Sequence, residues 1–266
     1  MNDVQTTSLR RDIALTTWQA LYEQRAFWRN RARAFFAFLM PIMFLVIFAS
    51  IFGKNTISTR AGLPYNDFFV PGILAYGIIA TTFFNNAVST AILRDQGVLK
   101  RMQGTPLPRW SYIAGRIASS SVTTLIMTAL VLLIGRLGYS VHVRSATLAG
   151  FFVALVLGSA CFTTLGIGIV RYIRNADAAP AVLNFAILPL TFISGIWFVT
   201  DTQPAWLRHV AEAFPVHALA DALQYAFNPA TTGSGIKGND VLVLGIWLIV
   251  GVVLMIRFLR QPLGEA

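Results

Sequence analysis

The sequence is poor in charged residues, which make up 12% of its 266 residues against 56% hydrophobic ones. A soluble domain usually carries about twice that charged fraction. Several apolar runs also reach the roughly 20 residues that a helix needs to cross a bilayer. The scarcity of charge therefore excludes an ordinary soluble protein and predicts a chain that crosses a membrane several times.

Residues for catalysis and metal binding are also scarce. The single cysteine, Cys161, excludes an intrachain disulfide. The sequence contains no G-x-x-x-x-G-K-[ST] phosphate-binding loop. It also shows no Ser/His/Asp or Cys/His pattern typical of nucleophilic catalysis. Metal sites usually need three or four converging ligands, whereas one segment offers only loose pairs among His209, Glu212, His217 and Asp221. We therefore expect no catalytic residue, no metal and no cofactor bound by this chain.

Acidic residues are few, at 11 against 21 Lys and Arg, and the net charge is +10. The basic residues flank the apolar runs, which is the pattern of the positive-inside rule and not of a nucleic-acid-binding surface. No acidic residue lies well inside an apolar run. This absence argues against a secondary transporter, which normally couples to ions through intramembrane acids.

The apolar runs predict an all-α polytopic membrane protein that forms one transmembrane domain over 1–266. Backbone groups in lipid find no partner outside a helix, so each span should be helical. With both termini in the cytosol, 15 of the 21 basic residues lie inside and the other 6 outside. No cleavage site follows a short apolar core near the N-terminus, so we expect the chain to keep it. The six predicted spans are 34–53, 69–93, 112–138, 146–170, 179–199 and 241–259.

The segment 8–30 predicts an interfacial amphipathic helix. Its polar residues share one narrow side, and its apolar residues lie on the opposite arc. The helix is either a generic membrane anchor or a lever that links the spans to a cytosolic partner. The polar side holds Asp12, Thr16, Gln19, Glu23 and Asn30, and the apolar arc holds Ala14, Trp18, Leu21, Tyr22 and Trp28.

Two spans carry polar stripes at helical spacing. Because amide and hydroxyl groups in lipid are costly alone, each stripe should face other helices or a path for substrate. Both readings stay open, also for Asn184 in the fifth span. Gly150, Ala154 and Gly158 form a small-residue ridge for close packing in the fourth span. The stripes are Thr82, Asn85, Asn86 and Ser89 in the second span, and Ser120, Thr124 and Thr128, in line with Arg116, in the third.

A basic, Pro-broken segment at 94–110 separates the second and third spans. It is too polar to lie in lipid and too short to be a domain. Because it is held at the ends of two spans, it is well placed to contact a soluble partner and to transmit that partner's movement to the spans. On the other side of the membrane, 201–240 predicts two short apolar helices that dip into the outer leaflet. The residues expected to couple the chain to its partner are Arg94, Asp95, Gln96, Gly97, Lys100, Arg101 and Pro106.

Two stretches resemble a known family. The first runs from FVPGIL at 69–74 to LKR at 99–101 and TPLP at 105–108. The second runs from 184 to SGIWF at 194–198, PAWL at 204–207 and FP at 214–215. In order, spacing and topology they resemble the permease subunits of ABC type-2 exporters, closest to the daunorubicin-resistance-like and nodulation-lipooligosaccharide-exporter-like branch. One departure is Asp95-Gln96, where relatives often carry a glutamate just before the glycine.

The resemblance implies a permease in the bacterial plasma (inner) membrane. It implies a dimer, with itself or with a sister permease, in contact with membrane lipids. Each permease would meet one cytosolic ABC ATPase subunit, which binds ATP and Mg. In the family pattern 94–109 is the coupling helix, 8–30 the interfacial connecting helix and 201–228 the outer helical pair. The implied activity is export of hydrophobic or amphipathic molecules such as drugs or lipids; a lipid-linked glycan exporter and an ATP-independent secondary transporter are the alternatives.

Overall fold

The computed structural model describes residues 2–53, 56–57, 63–104, 108–139, 141 and 144–260, and the great majority of them are helical. The β-structure among them is a two-residue antiparallel pairing of β1 with β2. The prediction of an all-α polytopic membrane protein is confirmed. In chain order the elements are α1 (Asn2–Arg29), α2 (Arg31–Phe52), β1 (Thr56–Ile57), β2 (Leu63–Pro64), α3 (Tyr65–Ile79), a π-helix (Ala80–Phe84), α4 (Asn85–Asp95), α5 (Val98–Gln103), α6 (Arg109–Tyr139), α7 (Leu148–Ile169), α8 (Ala179–Ile193), α9 (Ala205–Glu212), α10 (Pro215–Phe227) and α11 (Gly238–Leu259).

Five helical stretches in the described residues are long and apolar enough to cross a membrane. They correspond to five of the six predicted spans. The second of them is α3, the π-helix and α4 in one continuous run. The five are Arg31–Phe52, Tyr65–Asp95, Trp110–Tyr139, Ser145–Tyr172 and Gly238–Leu259.

The predicted fifth span, 179–199, is wrong at its C-terminal end. Helix α8 begins at Ala179 but stops at Ile193. Its 15 residues extend about 22 Å, against a hydrocarbon core of about 30 Å. The helix stops because Gly195 takes a left-handed conformation with φ of 79°. The carbonyl of Gly195 then accepts a hydrogen bond of 2.7 Å from Gln224 Nε2 of α10.

Helix α7 lies at the centre of the bundle and packs against α11, α10, α6 and the π-helix. The predicted small-residue ridge of the fourth span makes these close approaches. The backbone N–H of Gly150 donates to Ser234 O at 2.9 Å, and any Cβ at Gly150 would clash with Gly235 O. At Gly158 a Cβ would lie 2.6 Å from the Leu219 side chain of α10. Since lipid gives helices no hydrophobic reason to associate, such backbone approaches are what hold membrane helices together.

Helix α10 of the outer segment is buried between α3, α7 and α11, whereas α9 is largely exposed. Ile196, after α8, reaches α3 so closely that a Cβ at Gly72 would lie 2.5 Å from Ile196 O. The two stretches that carry the family resemblance therefore meet in space. They build one wall from α3, α10 and the turn after α8.

Lys237 joins the middle of α10 to the start of α11. Its Nζ contacts Asp221 of α10 and lies 3.7 Å from Asp240 Oδ2 of α11. Burial by itself lowers the pKa of Lys237, but the hydrogen bond to Asp221 and the two carboxylate charges raise it overall. The lysine therefore stays charged and holds the two helices together.

Helix α1 packs along the first half of α6. The polar side predicted from its sequence faces α6, where Gln19 is buried and Glu23 forms an ion pair. The predicted apolar arc faces outward, and Trp18 and Tyr22 are more than half exposed. An outward aromatic arc suits contact with the membrane interface, and the interfacial role of α1 stays a prediction.

Candidate functional site

Polar side chains from α1, α4 and α6 converge on Arg116, which is only 2% exposed. Its Nε lies 3.1 Å from Glu23 Oε1 and 3.2 Å from the hydroxyl of Tyr112. Its Nη1 donates to Asn86 Oδ1 and Ser89 Oγ, each at 3.2 Å. One guanidinium thus joins the N-terminal helix to two membrane-spanning helices.

Most of the predicted polar stripe lies in the interface between α6 and the π-helix with α4. Asn86 Nδ2 donates to Ser120 Oγ at 2.8 Å, and the hydroxyls of Thr81 and Thr124 are 3.3 Å apart. Thr82 is fully buried and donates to Ile78 O. Thr128 is buried too, and its hydroxyl has no hydrogen-bond partner among the described residues. The geometry places these residues between helices; whether any of them also touches substrate stays a prediction.

Asn85 and Asn184 lie elsewhere, on the wall of a groove of about 340 Å³ that is open on one side. The groove runs between α2 and α8, and its floor is the continuous helix of α3, the π-helix and α4. In the predicted orientation it lies in the cytosolic half of the membrane, because it is bounded by the first turns of α2 and α8. Its lining is Arg33, Phe36, Ala37, Met40, Tyr76, Ile79, Ala80, Phe84, Asn85, Val88, Pro180, Asn184, Ile187 and Leu188.

The π-helix Ala80–Phe84 turns two sets of side chains in different directions. Ala80 and Phe84 line the groove, while Thr81 and Thr82 are buried. π-Helical turns are rare and frequently occur at functional sites. Here the turn brings the groove and the polar interface to the same level of one helix.

A small polar cavity of about 20 Å³ adjoins the groove. Arg33 and Asn85 line both spaces, so the cavity and the groove share a border. Arg116 and Glu23 line the cavity but not the groove. The groove is therefore apolar along most of its length and polar at one end.

The predicted coupling segment folds as a short hairpin. Gly97, with φ of 68°, turns the chain from α4 into α5. Leu99 anchors α5 in the core, whereas Lys100 and Arg101 are exposed. Gln96 is exposed as well. Pro106 lies outside the described residues, and the coupling role of the segment stays a prediction.

Arg94 and Asp95 bind other parts of this chain, although Asp95 remains exposed. Arg94 Nη1 donates to Val170 O at 2.9 Å and to Ile173 O at 2.6 Å. Asp95 Oδ2 accepts from the N–H of Ala176 at 2.6 Å. These contacts tie α4 to the segment that leads into α8, and they leave Lys100 and Arg101 as the cations open to a partner.

Sequence reasoning missed the importance of Glu23 and Arg33. The sequence shows Glu23 only as one polar residue of the amphipathic segment 8–30. It shows Arg33 only as one of the 15 basic residues that the positive-inside rule places in the cytosol. The stripe in line with Arg116 was the available signal. It gave the face of α6, but it did not say which helix would supply the carboxylate.

The four residues considered as loose metal-ligand pairs are engaged separately. His209 Nδ1 is 3.3 Å from Glu212 Oε2, and His217 Nδ1 is 3.2 Å from Ser194 O. Asp221 pairs with Lys237. Within the described ranges, no three His, Cys, Asp or Glu residues are grouped as a metal site would require.

The fold and the site define a polytopic helical membrane protein with an apolar groove and a short basic hairpin at its predicted cytosolic end. The sequence profile of the family described as ABC-2 type transporter matches residues 16–228. The chain belongs to this family of ABC transporter permeases. With its apolar helices and the relatives below, it is a multi-pass protein of the bacterial inner membrane.

Similar proteins include three bacterial permeases. The inner membrane transport permease YadH of Escherichia coli K12 is 24% identical over 191 residues, 70% of this chain and 73% of its own length. The daunorubicin resistance ABC transporter permease protein DrrB1 of Streptomyces coeruleorubidus is 25% identical over 69% of this chain and 64% of its own. The probable multidrug ABC transporter permease YbhR of Escherichia coli K12 is 23% identical over 60% of this chain and 43% of its own.

Proposed function

We propose that the chain is the membrane-spanning subunit of an ATP-driven exporter that moves hydrophobic or amphipathic molecules, drugs or lipids, out of the cell. ATP is hydrolysed on separate ABC ATPase subunits, which also hold Mg. Two permease chains, identical or sister, form the path together. Membership of the ABC-2 family supports the ATPase partnership, and the printed names of DrrB1 and YbhR support drugs as a cargo class.

The observation that carries this proposal is the groove between α2, α4 and α8. Its volume of about 340 Å³ lies in the range of pockets that hold drug-sized ligands, roughly 300–1,000 Å³. Its walls are mainly apolar and aromatic, with Asn85 and Asn184 as isolated amides. Such a lining suits a cargo that is mostly apolar and carries a few polar groups.

The hairpin is connected to this groove by a short mechanical route. A push on α5 reaches α4 through the turn at Gly97. It also reaches the segment before α8 through the contacts of Arg94 and Asp95 with residues 170–176. Helices α4 and α8 form two sides of the groove. Binding of ATP that favours one state of the partner can therefore shift the width of the groove.

The test is co-expression of this chain with a candidate ABC ATPase subunit. Lys100→Glu with Arg101→Glu should abolish assembly or ATP turnover, because both cations are exposed on α5 and would meet acidic groups of the partner. Arg257→Glu is the matched control, an exposed arginine at the predicted cytosolic end of α11. It should leave assembly and turnover unchanged.

Arg94→Glu is a separate arm of this experiment. Because Arg94 holds the carbonyls of Val170 and Ile173, its reversal should lower the stability of the isolated permease as well as assembly. Failure of any ATPase to bind, or normal turnover after reversal of Lys100 and Arg101, would overturn the coupling proposal. Transport by the permease alone on an ion gradient would favour a secondary transporter, and ATP-dependent movement of a lipid-linked glycan would favour the other alternative.

A further inference from the structure

Positive charge is in excess where the groove meets the polar cavity. Arg33 and Arg116 both line the cavity, and Glu23 is the one carboxylate among its lining residues. Glu23 is engaged by Arg116 Nε at 3.1 Å. The residues around this space therefore carry one more positive than negative charge. Excess charge away from water is costly unless an opposite charge approaches it.

Arg33 is held in place but its donors are not fully used. Its guanidinium carbon lies 5.5 Å above the ring centre of Phe27, a cation–π contact. Its Nε is buried and has no hydrogen-bond partner among the described residues. A buried N–H that stays unpaired costs free energy. Because Arg33 also lines the groove, its guanidinium is the cation nearest to an acceptor bound there.

Arg116, which also lines the cavity, has an unpaired buried N–H as well. Its Nη2 is buried and unpaired in the described part of the chain, although the rest of its guanidinium is bonded to four side chains. Asn85, on the shared border, is a neutral amide whose Oδ1 is also buried and unpaired among the described residues. Two cationic side chains, with one unpaired N–H each, thus line one small space.

The remainder of the groove provides an apolar wall with no carboxylate. Phe36, Met40 and Ile79 line it near Arg33, and Leu188 closes it from α8. Arg33 is the single charged residue of that lining. Charge complementarity therefore favours an anionic group at the Arg33 end and an apolar body along the groove.

We propose that the groove selects acidic amphiphiles, drug-sized molecules with one phosphate or carboxylate head that Arg33 recognises. The inference rests on the proposed function and names the cargo class of the same groove. A cationic drug would place its charge beside Arg33 and be disfavoured. A volume of about 340 Å³ is at the small end of ligand pockets, which favours a single-chain molecule over a two-chain lipid.

The test is equilibrium binding to the full chain in a neutral maltoside detergent, with two radiolabelled probes that share one tail. Dodecyl phosphate should bind at least about tenfold tighter than dodecyltrimethylammonium, as expected for one charge-assisted hydrogen-bonded contact. Arg33→Gln should remove this preference, and Arg33→Lys should keep most of it. Arg31→Gln is the matched control because Arg31 starts the same helix and is exposed.

Ala37→Phe provides an arm that does not depend on charge. The added ring fills the groove from α2, so both probes should bind more weakly while the preference for phosphate remains.

Equal affinity for the two probes, or an unchanged preference in Arg33→Gln, would overturn the inference. Displacement of dodecyl phosphate by phosphatidylglycerol at equal concentration would overturn the choice of a single-chain molecule. Loss of all binding together with cross-linking of two copies through the groove would assign it to a second copy of the chain.

These outcomes are separate from a failure of the proposed function. Probe binding is measured without ATPase or ATP. If the charge preference is absent but the ATPase still assembles and depends on Lys100 and Arg101, only the cargo class is wrong. If no ATPase assembles, the exporter proposal fails whatever the probes do.

Discussion

At the residue scale, Arg116 is the side chain that joins α1, α4 and α6. Side chains of Arg116 and Glu23 are 3% and 13% exposed, so their ion pair is largely removed from water. Such a pair adds little net stability, but removal of one partner leaves an uncompensated buried charge. The pair therefore acts mainly to fix how α1 lies against α6.

Replacement of Arg116 by Met should lower the free energy of unfolding by about 3 kcal/mol, because Glu23 then loses the guanidinium that pairs with it inside the bundle. Denaturation of the purified permease in mixed micelles measures this loss. Combining Arg116→Met with Glu23→Leu should recover part of it, since Glu23 no longer leaves an unpaired carboxylate.

Arg136→Met is the matched control on the same helix, because Arg136 is exposed in the last turn of α6. It should change the free energy of unfolding by less than about 0.5 kcal/mol. An Arg116 variant as stable as the Arg136 variant would refute the structural role of the pair.

The sequence predicted single residues only through their spacing. The repeat of Ser120, Thr124 and Thr128 with Arg116 correctly marked one polar face of α6. It could not name Glu23, because a helical period says which residues share a face and not which helix packs on it. Likewise, the sequence could not predict that the guanidinium of Arg94 binds carbonyls of residues 170–174, because these lie beside it only once the chain is folded. Its role in coupling stays a prediction.

At the element scale, packing of α7 depends on glycines that admit backbone at close range. Gly150 touches the 234–235 backbone, and Gly158 touches the side chain of Leu219. A backbone neighbour cannot move aside as easily as the end of a leucine side chain. The two glycines should therefore differ in their tolerance of a methyl group.

Gly150→Ala should lower the melting temperature of the permease in micelles clearly more than Gly158→Ala does, because only the first requires a backbone shift. Gly245→Ala on α11 is the control, since a Cβ there meets nothing within 4 Å. That control should be neutral or slightly stabilising. Equal melting temperatures for all three variants would contradict the close packing of α7.

Helix types and most helix bounds followed from the apolar runs, since a span in lipid has few alternatives to an α-helix. The end of α8 did not, because residues 194–199 are as apolar as a span but turn away at Gly195. The carbonyl released by that turn is bonded by Gln224 of α10. The end of α8 is thus accompanied by a contact with a later helix. The apolar content of residues 194–199 alone cannot reveal such a contact.

At the scale of the whole molecule, the predicted cytosolic hairpin, the groove and the outer helices form one connected path. The hairpin is tied to α4 and to the start of α8, which flank the groove. The turn after α8 is in turn bonded to α10. We expect movement at the hairpin to reach α10 through these packed elements, as the proposed coupling to a cytosolic ATPase requires.

The most direct test of this account is native mass spectrometry of the permease purified with its ABC ATPase, combined with ATP turnover of the same sample. We expect a complex of two permease chains with two ATPase subunits that hydrolyses ATP. The ATPase subunits should be lost when the charges of Lys100 and Arg101 are reversed, but not when the charge of Arg257 is. A permease that appears without ATPase, or a complex indifferent to those reversals, would contradict it.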